Sequence, residues 1–297
     1  MCICISSCSS DENTYTQSDK TLNVYSELNE KLTTYNAAFW SENNIPQTRS
    51  FWKRLKGYLL ADAGGALIGS VFGGWGSLFG AVFCSAVAGP AYAEHEMKSK
   101  DDGIITIDTT IFKPITRIPA TRNPKDMEPA NPENQGYGTI NSNVTVTNSG
   151  IGYLHNTILS KINQKHPDVY KQSVSSETMA KYIVTEMKEY NLTISETEQS
   201  ILIHKVNSTI PKDDVDPNIE LIILLKNAYP EFSDELSVLD DFATNVGSLT
   251  DSKELVKKYL EGYLQVIENS NLTDSQKEIL KSGLEVAANS AVLWVVE

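Results

Sequence analysis

The sequence predicts a mainly α protein in three parts. N-terminal helices include a glycine-zipper helix or helical hairpin, an irregular Pro-rich linker covers 101–150, and a C-terminal all-α helical domain covers 151–297. Three observations carry this reading. Apolar residues recur at three- and four-residue steps between Leu22 and Phe39. Pro167, Pro211, Pro217 and Pro230 fall between the periodic runs of the C-terminal half, where a helix must stop. Small residues recur every fourth position through the most apolar segment. At 297 residues the chain has room for one large domain or two ordinary ones. Aromatics at 8% and charged residues at 21% are ordinary for folded protein, which argues against wholesale disorder.

Residues 1–20 read as a signal remnant and leader. Ile5-Ser6-Ser7-Cys8 resembles a bacterial lipobox, in which cleavage before Cys8 leaves that cysteine lipidated. Cys8-Ser9-Ser10-Asp11-Glu12 resembles the acidic signal that sends lipoproteins to the cell surface in Bacteroidetes. A basic n-region and an apolar h-region of about 7–15 residues precede such a box. Only Met1 to Cys4 precede it here, so the reading expects a start further upstream or a trimmed signal. Residues 9–20 are polar and are expected to be disordered. Leu22, Tyr25, Leu28, Leu32, Tyr35 and Phe39 then define one face of an amphipathic helix that Asn43-Asn44-Ile45-Pro46 ends.

The 21–100 region continues with a second helix from about Ser50, where Phe51-Trp52-Lys53-Arg54-Leu55-Lys56 mixes aromatic and basic residues suited to a headgroup region. It leads into residues 64–89, which hold 8 of the 17 glycines. Each glycine in a helix costs about 1 kcal/mol against alanine, so this stretch is stable only when packed. Ala61, Gly65, Gly69, Gly73, Ser77, Ala81, Ser85, Gly89 and Ala93 share one slowly drifting helical face against which another helix can pack closely. Between Asp62 and Glu94 lie 31 uncharged residues, about 46 Å as one straight helix. Roughly 20 residues span a bilayer. One tilted helix and a hairpin broken at Gly73-Gly74-Trp75-Gly76 both fit, and so do a membrane and a protein core as surroundings.

Pro114, Pro119, Pro124, Pro129 and Pro132 mark 101–150 as a linker, with short strands expected at Ile104–Ile107 and Val144–Val146. Arg117 and Arg122 are candidate sites for proteolytic cleavage there. Beyond Gly150, helices are expected over 151–164, 176–190, 195–208, 218–228, 233–246, 251–269 and 274–294. Ser195-Glu-Thr-Glu198 and Thr273-Asp-Ser-Gln276 are capping boxes. This half carries 13 basic against 23 acidic residues, which implies a solvated acidic surface.

The chemistry-bearing residues form no reactive constellation in sequence. Net charge is −13 and no basic stripe is visible, so nucleic acid is not an expected partner. The cysteine spacing suits neither a disulfide framework nor zinc. His95, His155, His166 and His204 are scattered, and no HExxH pair, Gly-x-Ser-x-Gly elbow or phosphate-binding loop occurs. No cofactor, no metal and no enzymatic activity are expected. His155 beside Asn156 reads as a capping or core hydrogen-bonding residue. Asp213-Asp214-Val215-Asp216 reads as a solvated turn, and Trp294 as an anchor of the final helix.

Ala61-Asp62-Ala63-Gly64-Gly65-Ala66 and the ladder after it resemble glycine-zipper lipoproteins of gut Bacteroidetes. So do Ile151-Gly152-Tyr153-Leu154-His155-Asn156, Leu272-Thr273-Asp274-Ser275-Gln276-Lys277 and the run Ala287 to Trp294. The overall layout is similar to that of the Bacteroidales colicin-like proteins, secreted antibacterial toxins activated by proteolysis. The resemblance implies an exported outer-membrane lipoprotein released outside the cell and cut by activating proteases. It also implies binding to a surface glycan or outer-membrane receptor and damage to a competitor's membrane lipid; an immunity protein is a further expected partner. The alternative is a non-toxic structural envelope lipoprotein anchored or assembled through the zipper.

Overall fold

The computed structural model describes residues 12–43, 45, 52–97, 105–107, 150–166, 169, 174–209, 221–249 and 252–296. Side chains are described over 24–43, 45, 56–87, 150–166, 169, 174–209, 221–249 and 252–293. The protein is mainly α, as the sequence predicts. Helix α1 (Glu12–Asn43) begins ten residues before the expected Leu22, so the expectation of a disordered 9–20 is corrected over 12–20. No Gly or Pro interrupts 12–22, and a helix nucleated downstream propagates at little cost through such residues. Its apolar face, with Tyr25, Leu28, Leu32 and Phe39 buried, lies on the C-terminal half of the chain.

Helices α2 (Trp52–Gly69) and α3 (Gly73–Met97) form an antiparallel hairpin closed by one 3-10 turn, Ser70–Phe72. The two open choices for the glycine-rich segment thus resolve to a hairpin. The break sits at Ser70–Gly73, and Gly73 takes φ +78, a left-handed conformation that L side chains rarely adopt. A three-residue strand β1 (Ile105–Ile107) follows.

The second half supplies α4 (Ile151–Lys165), α5 (Ser176–Lys188), α6 (Glu196–Thr209), α7 (Leu221–Ala228), α8 (Ser233–Val246), α9 (Lys253–Glu268) and α10 (Asp274–Ala291). The starts of α6 and α10 are capped as the sequence foretells. Thr273 Oγ1 accepts from the Gln276 backbone N–H while the Gln276 side chain accepts from the Thr273 N–H. Ser195 and Glu198 make the same reciprocal pair. Ser175 and Ser252 cap α5 and α9. Helix α10 stops at Ala291, and Trp294 opens strand β2 (Trp294–Val296), which pairs antiparallel with β1. The expectation that Trp294 belongs to the final helix is therefore corrected. Three apolar residues of high strand propensity, Trp294-Val295-Val296, find an extended partner in Ile105-Thr106-Ile107. The expected strand at Val144–Val146 and the turn at Asp213–Asp216 lie outside the described residues.

One hydrophobic core runs from Tyr25 to Leu293 and joins residues on both sides of the 101–150 region. The hairpin sits at its centre. Arm α2 packs on α10 and α8, and α3 packs on α4 and α5. An aromatic cluster of Tyr35, Phe39, Phe242, Tyr259 and Tyr263 fastens α1 to α8 and α9, with ring centroids 5.0–6.2 Å apart. Tyr259 donates to Asn36 Oδ1 at 2.7 Å and Tyr263 to Asp241 Oδ2 at 2.9 Å, so the buried hydroxyls stay hydrogen-bonded.

Candidate functional site: a buried hairpin and its polar clasp

The two arms of the hairpin approach at the distance of backbone contact. A Cβ added at Gly65 would overlap the Gly80 carbonyl oxygen and Cys84, and one at Gly69 would overlap the Gly76 carbonyl. Additions at Gly76 and Gly80 would likewise meet the carbonyls of Gly69 and Gly65. Only glycine fits a crossing this close, for the reason that small residues recur where helices touch without bulky knobs.

The crossing uses part of the sequence-derived ladder. Gly65 and Gly69 face α3. Gly73 does not pack: a Cβ there would meet nothing within 4 Å, and its role is the positive φ of the turn. Along α3 the closest approach to Gly65 and Gly69 is made by Gly76, Gly80 and Cys84; of the expected residues, Ser77 meets Gly69 through its backbone and Ala81 packs on Ala66 of α2. The turn resets the helical phase, so a spacing of four that is unbroken in sequence changes face in space. Ser77, Ala81 and Ser85 are fully buried, and Ala81 also packs with Val286 of α10. Gly89 belongs to α3, with its burial outside the described set. Cys8, Arg117 and Arg122 lie outside the described residues.

Asp62 is the group that sequence reasoning missed. It served there only as the border of an uncharged run, yet its side chain is 0% exposed in the middle of the core. Ser290 of α10 donates to its Oδ2. The Nε2 of His155, on α4, lies 3.7 Å from the same oxygen. Asn156 donates from Nδ2 to the Asn289 carbonyl at 2.7 Å, so its Oδ1 faces His155 Nδ1, also at 2.7 Å. The ring therefore donates from Nδ1 and turns its other nitrogen toward Asp62. Burial pushes the imidazole down to about 4, which keeps it neutral at ordinary pH. Three helices, α2, α4 and α10, are thus clasped by one polar cluster within an apolar interior. The signal for it in sequence was an acid between two alanines, opposite a His-Asn pair.

A second acidic group flanks the clasp. Glu285, one helical turn before Asn289 on α10, packs its carboxylate against Gly150 at the start of α4. Burial raises it to about 7, with the nearby Glu278 adding to the effect and Lys281 opposing it.

Two surface grooves, of about 320 and 360 Å³, run beside α1 and are lined by Lys31, Tyr35, Gly262, Glu27 and Thr34 among others. Among the described residues no three His, Cys, Asp or Glu side chains group closely enough to hold a metal ion. The stretch Lys56–Val87 is long and apolar enough to cross a membrane, and 72% of its most apolar window is buried inside the protein. No family model, curated protein or solved structure matches the chain.

Proposed function

We propose that this chain is a secreted antibacterial toxin that damages the envelope of related bacteria by releasing its α2–α3 hairpin into a membrane. In this reading it is made as a lipoprotein held through Cys8, exported to the outer membrane and surface, and activated by proteases that cut near Arg117 and Arg122. A surface glycan or outer-membrane receptor brings it to the target, and an immunity protein guards the producer. No step requires a catalytic residue or a cofactor.

The observation that carries the reading is the hairpin itself. Its arms of 18 and 25 residues measure about 27 and 37 Å, against roughly 30 Å of hydrocarbon. Residues 63–93 contain no charge, so every face of that stretch tolerates lipid. The glycine crossing buries arm against arm, and this contact can travel intact from protein to bilayer because it needs no hydrophobic drive. What must change is the outer packing on α4, α5, α8 and α10, and the clasp at Asp62. A carboxylate at bilayer depth is costly, so Asp62 enters neutralised or facing water.

A reversible tether tests this. Ala66 and Val286 pack together in the core, so Ala66→Cys with Val286→Cys should fasten α2 to α10 by a disulfide. The nicked, oxidised protein is expected to neither kill related bacteria nor release dye from liposomes, and reduction should restore both. Equal killing by the oxidised and reduced forms would show that killing does not need release of the hairpin, and no killing by either form would leave the reading of a non-toxic envelope scaffold.

A further inference from the structure

The hairpin turn differs from the rest of the hairpin. Val71 is 53% exposed, the highest value among the large hydrophobic side chains that lie exposed in the described residues. Phe72 and Trp75 beside it are only partly buried. Added Cβ atoms at Gly73 and Gly74 would meet nothing within 4 Å, whereas four other glycines of the same hairpin are jammed against backbone. The turn packs mainly on its own two arms. Here the hairpin leaves the helical sheath and presents an apolar point to the outside. Its nearest charges along the chain are Asp62 on one side and Glu94 on the other.

We propose that this tip, Val71 to Trp75, is a preformed docking point for the interfacial region of a lipid bilayer. The proposal deepens the membrane reading above and rests on it. A neutral tip on a chain of net charge −13 selects its partner by exclusion. It lacks the cations that recognise phosphate or acidic peptides, and an anionic membrane surface attracts basic rather than acidic proteins. What remains complementary is apolar and uncharged. A Trp placed beside Phe and Val suits the boundary between headgroups and acyl chains, where an amphipathic ring is preferred. Docking is therefore expected to be indifferent to salt and to need no anionic lipid.

The experiment uses the full-length protein, intact and nicked, with vesicles of phosphatidylcholine alone and of phosphatidylcholine with phosphatidylglycerol. Partitioning is measured by flotation at low and high salt for the wild type, Val71→Asp and Ile223→Asp, the last altering an apolar residue of α7 that is 48% exposed. Expected are partition coefficients within about threefold across the two lipids and both salts, and a loss of at least tenfold for Val71→Asp alone. Melting curves should show both variants folded, as substitution at exposed sites is normally mild. In parallel, a polarity-sensitive dye on Val71→Cys, with Ser replacing Cys2, Cys4 and Cys8, should shift to the blue on adding neutral vesicles.

Binding that requires anionic lipid would overturn the proposal. So would equal losses for Val71→Asp and Ile223→Asp, no loss for Val71→Asp, or a wild type that binds neither vesicle. A blue shift that rises with protein concentration in the absence of lipid would assign the tip to a second copy of the chain instead. Dye release that survives Val71→Asp sinks the tip and leaves hairpin insertion standing. Dye release by the oxidised tethered protein sinks insertion without touching the partition result.

Discussion

The α2–α3 and α9–α10 pairs solve the same problem, the packing of two consecutive helices, by opposite means. Helices α9 and α10 are amphipathic: Val256, Tyr259, Leu260, Tyr263 and Ile267 turn inward on α9 while Lys257, Glu261 and Glu268 face water. Their N-termini are closed by Ser252 and by the Thr273–Gln276 box. Helices α2 and α3 have no comparable polar stripe over 63–87, and the glycines that join them weaken each arm as an isolated helix. The first pair is built to meet water on one side. The second depends on being surrounded, by protein in this structure and by lipid in the proposed function.

The largest expected effect comes from breaking the arm-to-arm contact. Gly80→Leu forces a side chain into the Gly65 carbonyl and should lower unfolding stability by about 3 kcal/mol or more, read from denaturant midpoints. Gly74→Ala, on open space in the same helix, should leave it unchanged or raise it by up to about 1 kcal/mol. If Gly80→Leu is as mild as Gly74→Ala, the glycines are not a contact surface and the comparison fails.

Next in size is the pH response of the clasp. His155 titrates near 4 when folded against 6.5 in an open chain, so the unfolded state holds more protons between those values. Its contribution is fully present above pH 6.5 and is lost as pH falls toward 4, a change of about 3 kcal/mol. Glu285 acts in the reverse sense. Its folded value near 7 lies above the ordinary 4.5, so its contribution is present at acid pH and is lost as pH rises through 7. Residue 285 is only partly buried, which reduces this to about 1–2 kcal/mol. The two oppose each other between pH 4.5 and 6.5. Stability of Glu285→Gln should therefore fall more steeply toward acid than that of the wild type, whereas His155→Gln should be flat or rise. Urea titrations at pH 4.5, 5.5 and 6.5 distinguish these slopes.

The smallest effect belongs to the water-facing pair. Thr273→Ala removes one cap of α10 and should cost about 1 kcal/mol without changing the arm-to-arm contact. A hydrogen-exchange map of that variant should show loosening confined to the first turns of α10. If loosening spread to α2 as well, the two pairs would be a single cooperative unit rather than separate solutions.

Legibility followed the same division. The amphipathic helices were readable because period, caps and intervening prolines agree. Starts at 151, 176, 196, 233 and 274 fall within one residue of expectation. The hairpin was legible as an element and not as a geometry. When every face is apolar, hydropathy carries no phase, and spacing alone could not show that the chain turns at Ser70–Gly73. The clasp escaped for a related reason. Asp62, His155 and Ser290 are separated by up to 228 residues, and only the fold brings them together.

The hairpin and the helices that enclose it lie on opposite sides of residues 108–149, so a single cut there turns one molecule into two. The two fragments, one containing residues 1–107 and the other residues 150–297, would then be held by side-chain packing and by the β1–β2 pairing of Ile105–Ile107 with Trp294–Val296. From that moment the enclosure obeys a dissociation constant. Dilution, which has no effect on an intact chain, favours separation of the fragments by mass action.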